Sequence, residues 1–234
     1  MRSPSPAWVS LTDEGSLRAL KYSFGPGTAN TLAIRLDDET FVVVSPSIAP
    51  PSAVLDELAK AGGVSALVAP NAYHHRGQAA WRARFAGAQS YAPEGALPRL
   101  AQQSKGVPYR PLGELSERLP SRVALVVADG FKSPDLLVRA TTAGGVTAWW
   151  LGDLFSNSGK DDQIWPLRLL GRLAGSGLGY RRNSKPELVY VADRGAWLES
   201  VRRAIAPHPP SIVVPAHGDP VLDDTAGRTA AVLE

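Results

Sequence analysis

The chain has 234 residues, of which 44% are hydrophobic and 20% charged, a composition typical of a folded globular protein rather than a disordered or fibrous one. Lys and Arg number 25 against 22 Asp and Glu, so we expect no nucleic-acid partner. The absence of cysteine excludes disulfides, thiolate nucleophiles and cysteine metal sites. Neither a secretory signal nor a run of about 20 apolar residues is present. We therefore expect a cytoplasmic protein with no membrane segment.

The first half of the chain predicts alternating strands and helices. Short apolar runs rich in β-branched residues predict strands, and apolar residues at helical spacing predict helices. In chain order these are a hairpin over Thr31–Ile34 and Phe41–Val44, a helix over Ala53–Ala61 capped by Ser52, a strand over Ser65–Ala69, a helix over Gly77–Phe85 and a strand end or loop at Ser90–Ala92.

The second half repeats this pattern. It predicts a strand over Val123–Val127, a hairpin of Leu136–Ala140 and Val146–Leu151, an irregular insertion over about residues 154–186 with one short helix, a strand over Leu188–Val191, a helix over Arg194–Ile205, a strand over Ser211–Val214 and a helical tail. Two groups of buried strands with helices between them predict an α/β fold, an αββα sandwich of two mixed sheets face to face with helices outside. No linker is visible, so we expect a single domain over residues 1–234.

Polar side chains that can carry chemistry follow three of the predicted buried strands. His74 and His75 follow the first, Asp153 follows the second and His217 follows the third. Strand ends are where α/β folds bind ligands. A single histidine is more often a surface or satisfied core residue, and an Asp after Gly is ordinary turn chemistry, but the joint placement favours one shared site. The fourth histidine, His208, lies between prolines and is predicted to be in a surface loop.

Three segments carry a resemblance to a known family. They are Pro70–Gly77 with the sequence PNAYHHRG, Leu151–Phe155 with LGDLF, and Val214–Pro220 with VPAHGDP. In this order they resemble the HxHxDHxGG loop, the later Gly-Asp and the final (P/G)xHG of the metallo-β-lactamase fold. The resemblance covers most of the chain and implies an αββα fold with a metal centre.

The first loop departs from the family signature. The first two signature histidines fall on Pro70 and Ala72, the signature Asp falls on His74, and the last signature histidine is kept as His75. The family's later GHTPGS-like segment falls near residues 130–134, which contain no histidine. The family's acidic residue after the second apolar strand falls near Ser45. The resemblance therefore implies that the first metal site of the usual pair is missing.

The second metal site keeps more of the family pattern. The resemblance assigns His75, Asp153 and His217 to it, with His74 in place of the Asp. Imidazole and carboxylate ligands suit one divalent ion, Zn²⁺ or Fe²⁺. With one position open for water the site would be catalytic, and with all four residues bound it would be structural.

Two functions remain open from the sequence. The first is a hydrolase in which one metal-activated water attacks a small-molecule ester, lactone, thioester or phosphoester, with His74 and Asp153 as candidate catalytic residues. The second is a non-catalytic scaffold of the same fold, with or without metal, that binds a small molecule or a protein. The sequence decides neither the substrate nor the oligomeric state.

Overall fold

The computed structural model describes residues 6–25, 27–162, 178–183, 187–188 and 190–234. The chain divides into two compact units. Unit 1 consists of Met1–Tyr22 and Asn30–Pro120, and unit 2 consists of Ser23–Ala29 and Ser121–Glu234. The single-domain organisation stays a prediction.

Unit 1 is built on a seven-stranded sheet whose strands follow one another in chain order. The strands are β1 (Trp8–Ser10), β2 (Leu17–Ser23), β3 (Thr28–Arg35), β4 (Phe41–Val44), β5 (Val64–Val68), β6 (Gln89–Ala92) and β7 (Tyr109–Pro111). Strands β3 and β4 form the predicted antiparallel hairpin, and β4 to β7 pair in parallel. Because parallel neighbours need a crossover connection, a helix lies between consecutive members of this parallel set.

The helices of unit 1 are α1 (Ser52–Lys60), α2 (Gln78–Arg84), α3 (Leu97–Gln103) and the short α4 (Leu112–Ser116). Helix α1 buries Val54, Leu55 and Leu58 at helical spacing, and these side chains join Trp81 of α2 in one hydrophobic cluster. Ser52 is the first helical residue of α1, whose N-cap position is Pro51 without a side-chain cap. The predicted serine cap is therefore wrong, although the helix itself is confirmed.

Unit 2 contains two smaller sheets. The first has the strand order β13 (Ile212–Val214), β10 (Thr147–Trp150), β9 (Leu136–Thr141), β8 (Val123–Val127), and the second has the order β12 (Gly179–Arg182), β11 (Phe155–Ser158), β14 (His217–Gly218). Asp193 is the N-cap of helix α5 (Arg194–Ile205), and its side chain accepts a hydrogen bond from the Ala196 amide. Helix α6 (Thr225–Leu233) ends the unit. Trp149, Trp150, Trp197 and Phe155 are the largest fully buried side chains in the described part of this unit.

The predicted insertion over residues 154–186 is more regular than expected. Strands β11 and β12 lie in it and pair antiparallel. The short helix predicted within it falls largely on residues 163–177, which lie outside the described residues. The described part of the chain contains no helix that is long and apolar enough to cross a bilayer.

The predicted strand over Leu188–Val191 is wrong. Leu188 and Tyr190 are helical, and the Val191 amide donates to the Glu187 carbonyl oxygen at 2.9 Å. The buried Glu187 carboxylate pairs with Arg182 at 2.9 Å and with Arg194 at 2.5 Å. These ion pairs join charged side chains, of which an apolar sequence pattern contains no sign.

Substitutions at a buried and at an exposed leucine test the packing of α1 and the helical assignment around Leu188. We expect Leu58→Ala to lower the free energy of unfolding by about 2–5 kcal/mol, because it empties a fully buried position. Leu188→Ala should change it by less than about 0.5 kcal/mol, since Leu188 is 80% exposed. Urea unfolding of both variants measures the difference. Equal losses would contradict the helical assignment around Leu188.

Candidate metal centre

The loop after β5 places the two adjacent histidines of unit 1. The Asn71 side chain accepts hydrogen bonds from the amides of Tyr73 at 2.8 Å and His74 at 3.0 Å, an Asx-type turn that fixes the loop. The loop then passes so close to β4 that a Cβ on Gly77 would lie 2.1 Å from the Pro46 carbonyl oxygen. The asparagine and the glycine of PNAYHHRG are therefore positioning elements for the histidines.

Ser45 orients the His74 ring. Its hydroxyl lies 2.8 Å from His74 Nδ1, a hydrogen bond that fixes the orientation of the ring. Ser45 is fully buried and has φ +54°, a left-handed conformation that costs a non-glycine residue on the order of 1–3 kcal/mol. The Ser45 amide donates to the Val68 carbonyl oxygen, and the Ser45 carbonyl oxygen accepts from the Thr31 hydroxyl. These contacts hold the conformation that directs the hydroxyl to His74.

His75 lies in a different electrostatic environment. Burial lowers the pKa of its imidazole, and the positive charge of Arg76, the neighbouring His74 and the charge of Arg99 lower it further. Arg76 and Arg99 therefore place positive charge near this ring. The resemblance also distinguishes the two residues, since His75 falls on the retained signature histidine and His74 on the signature Asp.

Asp153 is held by a second, buried carboxylate. The Asp153 amide donates to Asp135 Oδ2 at 3.0 Å, and the Leu136 amide donates to Asp135 Oδ1 at 3.2 Å. Gly152 has φ +73°, and a Cβ there would lie 2.2 Å from the Asp135 carboxylate. The Gly-Asp dipeptide therefore fits only because residue 152 has no side chain. Asp135 is only 4% exposed and fixes the backbone from which Asp153 projects.

His217 is held by a backbone carbonyl. Its Nδ1 lies 2.7 Å from the Thr28 carbonyl oxygen, and because a carbonyl only accepts, Nδ1 must carry the proton. In the neutral ring, the lone pair is then on Nε2. Gly218 follows with φ +87°, where a Cβ would lie 2.1 Å from the Asn157 carbonyl oxygen. The His-Gly pair is therefore required by close packing against β11.

The structure brings Asp153 and His217 together in unit 2. Strands β10 and β13 pair in parallel with Trp150 opposite Val214, and each candidate lies three residues beyond that pair. His217 Nε2 is 3.7 Å from Asp153 Oδ1, too far for a hydrogen bond. Two ligands of one tetrahedral ion, with bonds of about 2.0–2.2 Å, lie about 3.3–3.6 Å apart. At 3.7 Å the pair is slightly wider than this range, and it has the donor chemistry of two metal ligands.

The remaining candidates are placed as follows. His74 and His75 occupy one turn of unit 1, and the exposed His208 lies in a loop where its carbonyl accepts from the Trp149 indole at 2.8 Å. Sequence reasoning missed Thr28 and Asp135 and gave Ser45 no role. No local pattern identifies Thr28, whose backbone acts, whereas an Asp directly after Pro134 in a strand-flanking turn offered a weak signal for Asp135.

Comparison with known proteins gives the fold. No family model and no curated protein matches the sequence. Solved structures do match over nearly the whole length. A metallo-β-lactamase from Erythrobacter litoralis has 18% identity and a TM-score of 0.64 over 100% of this chain and 98% of that one. The DIM-1 metallo-β-lactamase has 14% identity and a TM-score of 0.63 over 98% and 97%.

A third match is the metallo-β-lactamase FIM-1 from Pseudomonas aeruginosa in its mono-zinc form, with 15% identity and a TM-score of 0.61 over 98% of this chain and 95% of that one. This chain therefore has the metallo-β-lactamase fold. The predicted fold class, a mixed α/β architecture with several sheets and helices, is confirmed. At such low identity the likeness carries the fold alone, and the chemistry has to be argued from the residues present.

Substitutions of Asp135 test whether its carboxylate holds the backbone at Asp153. Asp135→Ala removes the acceptor of two backbone amides, and leaving buried donors unpaired should lower the free energy of unfolding by about 1–3 kcal/mol. Asp135→Asn keeps one acceptor oxygen and should lose less. Thermal and urea unfolding of both variants measure the effect. An alanine variant as stable as the wild type would show that this carboxylate does not hold the Asp153 backbone.

Proposed function

We propose that this protein is a metal-dependent hydrolase that cleaves a small-molecule ester, lactone, thioester or phosphoester with one divalent ion, Zn²⁺ or Fe²⁺. The observation that carries the proposal is the His217–Asp153 pair. An imidazole Nε2 lone pair and a carboxylate oxygen face each other at 3.7 Å, while the Nδ1 proton of His217 is directed to the Thr28 carbonyl. Protein ligands to metals have this outer hydrogen bond in almost all cases.

We propose His74, Asp153 and His217 as the ligands, three of the four residues that the family resemblance places at the second metal site. In His74, as in His217, Nδ1 makes a hydrogen bond within the protein, and its partner is the Ser45 hydroxyl. His75 stands outside the set, since no described hydrogen bond orients its ring as the Ser45 hydroxyl orients that of His74. Three protein ligands leave a position for water, as a catalytic zinc site requires.

The ligand charges favour hydrolysis. Two neutral imidazoles and one carboxylate leave a divalent ion with a net positive charge, and an ion held this way acts as a Lewis acid that lowers the pKa of a water molecule. Asp153 also offers its second oxygen as the acceptor of the proton that the water loses. In ester cleavage the water oxygen bonds to the acyl carbon, the bond to the leaving alcohol breaks, and the proton ends on the alcohol.

A scaffold that binds without catalysis is the second candidate. One observation favours it: the residues at two family ligand positions, Pro70 and Ala72, have no donor atom, and Ala72 is fully buried. Half of the usual two-metal arrangement therefore has no counterpart. The scaffold function and the hydrolase differ in their requirement for the ion.

The ligand assignment is tested by metal content. We expect the wild type, purified without an affinity tag, to contain about one divalent ion per chain and to hydrolyse at least one member of a panel of esters, lactones, thioesters and phosphoesters. His74→Ala and His217→Ala should lose both the ion and the turnover, because each removes one of three ligands. His75→Ala should keep the ion. Elemental analysis and initial rates measure these outcomes.

His208→Ala serves as the matched control, since this exposed histidine lies in a loop away from the proposed ligands. A wild type that neither contains nor binds metal and has no turnover would favour the scaffold function. Loss of the ion in His75→Ala but not in His74→Ala would reverse the assignment of the two adjacent histidines.

Two serines of one loop test the orientation of His74. Ser45→Ala removes the hydroxyl at His74 Nδ1 and should weaken zinc binding about 10- to 100-fold, the usual effect of losing such an outer partner. Ser47→Ala is the control, because its buried hydroxyl has no hydrogen-bond partner within the described residues, so zinc affinity should stay unchanged. Zinc affinities come from competition with a chromophoric chelator. Equal affinities for both variants would contradict the role of Ser45.

A further inference from the structure

A stacked guanidinium lies against the histidine loop of unit 1. The Cζ of Arg99, in α3, is 4.5 Å from the centroid of the Tyr73 ring, within the range of a cation–π contact. The Gln103 side chain, in the amide orientation that satisfies its neighbours, accepts from Arg99 Nε at 3.1 Å and donates to the Ala72 carbonyl at 3.2 Å. Arg99 is therefore held over the ring that precedes His74 by two contacts, one through Cζ to Tyr73 and one through Nε to Gln103.

This guanidinium has no carboxylate partner within the described residues, and neither does Arg76. Other arginines of unit 1 are paired: Arg18 with Glu57 at 2.7 Å, Arg84 with Asp56 at 3.1 Å and Arg110 with Glu114 at 3.0 Å. Arg76 and Arg99 are both exposed, and both act on the His75 imidazole through their charge. The loop thus presents two uncompensated positive charges around one histidine.

A planar guanidinium in a fixed orientation is suited to an oxyanion. It offers two parallel N–H donors that match a carboxylate or phosphate group, and stacking reduces the side-chain entropy lost on binding. Arg76 adds a second positive charge, and the His75 imidazole adds a further hydrogen-bonding group on the same loop. A neutral ligand would gain little from this arrangement.

We propose that Arg99, Arg76 and His75 form an oxyanion-binding subsite that recognises a carboxylate or phosphate group of the substrate. This inference rests on the proposed function, because it takes the bound anion to be part of the substrate of that hydrolase. It narrows the substrate class to esters, lactones, thioesters or phosphoesters that carry an anionic group apart from the bond that is cleaved. The subsite itself binds oxyanions whether or not the ion is present.

Inorganic phosphate is the probe for the subsite. Its affinity for the full-length protein is measured by calorimetry at low ionic strength, because salt screens exposed charges. Arg99→Gln should weaken binding about tenfold, since it removes a charge-assisted pair of hydrogen bonds. Arg99→Lys should recover only part of the affinity, because ammonium keeps the charge without the fork of donors. Arg84→Gln, an arginine of the same unit paired with Asp56, is the control and should bind phosphate as the wild type does.

The same titration in a His217→Ala background separates this subsite from the metal centre. An Arg99→Gln effect that persists there supports the subsite independently of the ion. Unchanged phosphate affinity in Arg99→Gln, or an equal loss in Arg84→Gln, would overturn the proposal.

A matched pair of esters then tests substrate class. For mono(4-nitrophenyl) succinate, Arg99→Gln should raise KM about tenfold with kcat unchanged, because the interaction is made equally in ground and transition states. For neutral 4-nitrophenyl acetate the variant should match the wild type. Equal effects on both esters would overturn anion recognition during catalysis. If the wild type cleaves neither ester nor any other panel member, the hydrolase proposal fails, while the phosphate titration still decides the subsite.

Discussion

The hydrogen bond from His217 Nδ1 to the Thr28 carbonyl oxygen sets the chemistry of unit 2. A carbonyl cannot donate, so the bond assigns a proton to Nδ1, and in the neutral ring the lone pair is on Nε2. That lone pair points toward Asp153 Oδ1, 3.7 Å away. Two electron-rich atoms at this separation are stabilised by a positive charge between them. The proposed ion supplies that charge, and the surrounding structure keeps both ligands in place.

Backbone constraints do most of this positioning. Gly152 and Gly218 adopt positive φ angles at points where any Cβ would overlap a neighbouring oxygen, so the residues beside them, Asp153 and His217, are held in defined directions. Ser45 adopts a left-handed conformation that favours glycine. A glycine there would lack the hydroxyl that contacts His74 Nδ1. Local strain beside a functional group, held by the packing around it, is a recurring property of binding sites.

Much of the fold follows from sequence pattern. Strand β8 and helix α5 were predicted at their observed boundaries, because apolar spacing is a local signal. The Asp153–His217 pair was predictable since both residues follow buried strands that turned out to be parallel neighbours. The choice between His74 and His75 was not, because it depends on the Ser45 hydroxyl, which is remote in sequence. The helical turn at Glu187 was missed because its ion pairs with Arg182 and Arg194 are side-chain contacts that apolar spacing does not show.

Diffraction from crystals grown with zinc, recorded on both sides of the zinc absorption edge, tests the central claim most directly. The account predicts one strong anomalous peak, bonded to Nε2 of His74, Nε2 of His217 and the carboxylate of Asp153, with His75 unliganded. A peak bonded to His75 in place of His74 would contradict the ligand assignment. The absence of any anomalous peak near Asp153 and His217 in these crystals would contradict the metal centre itself.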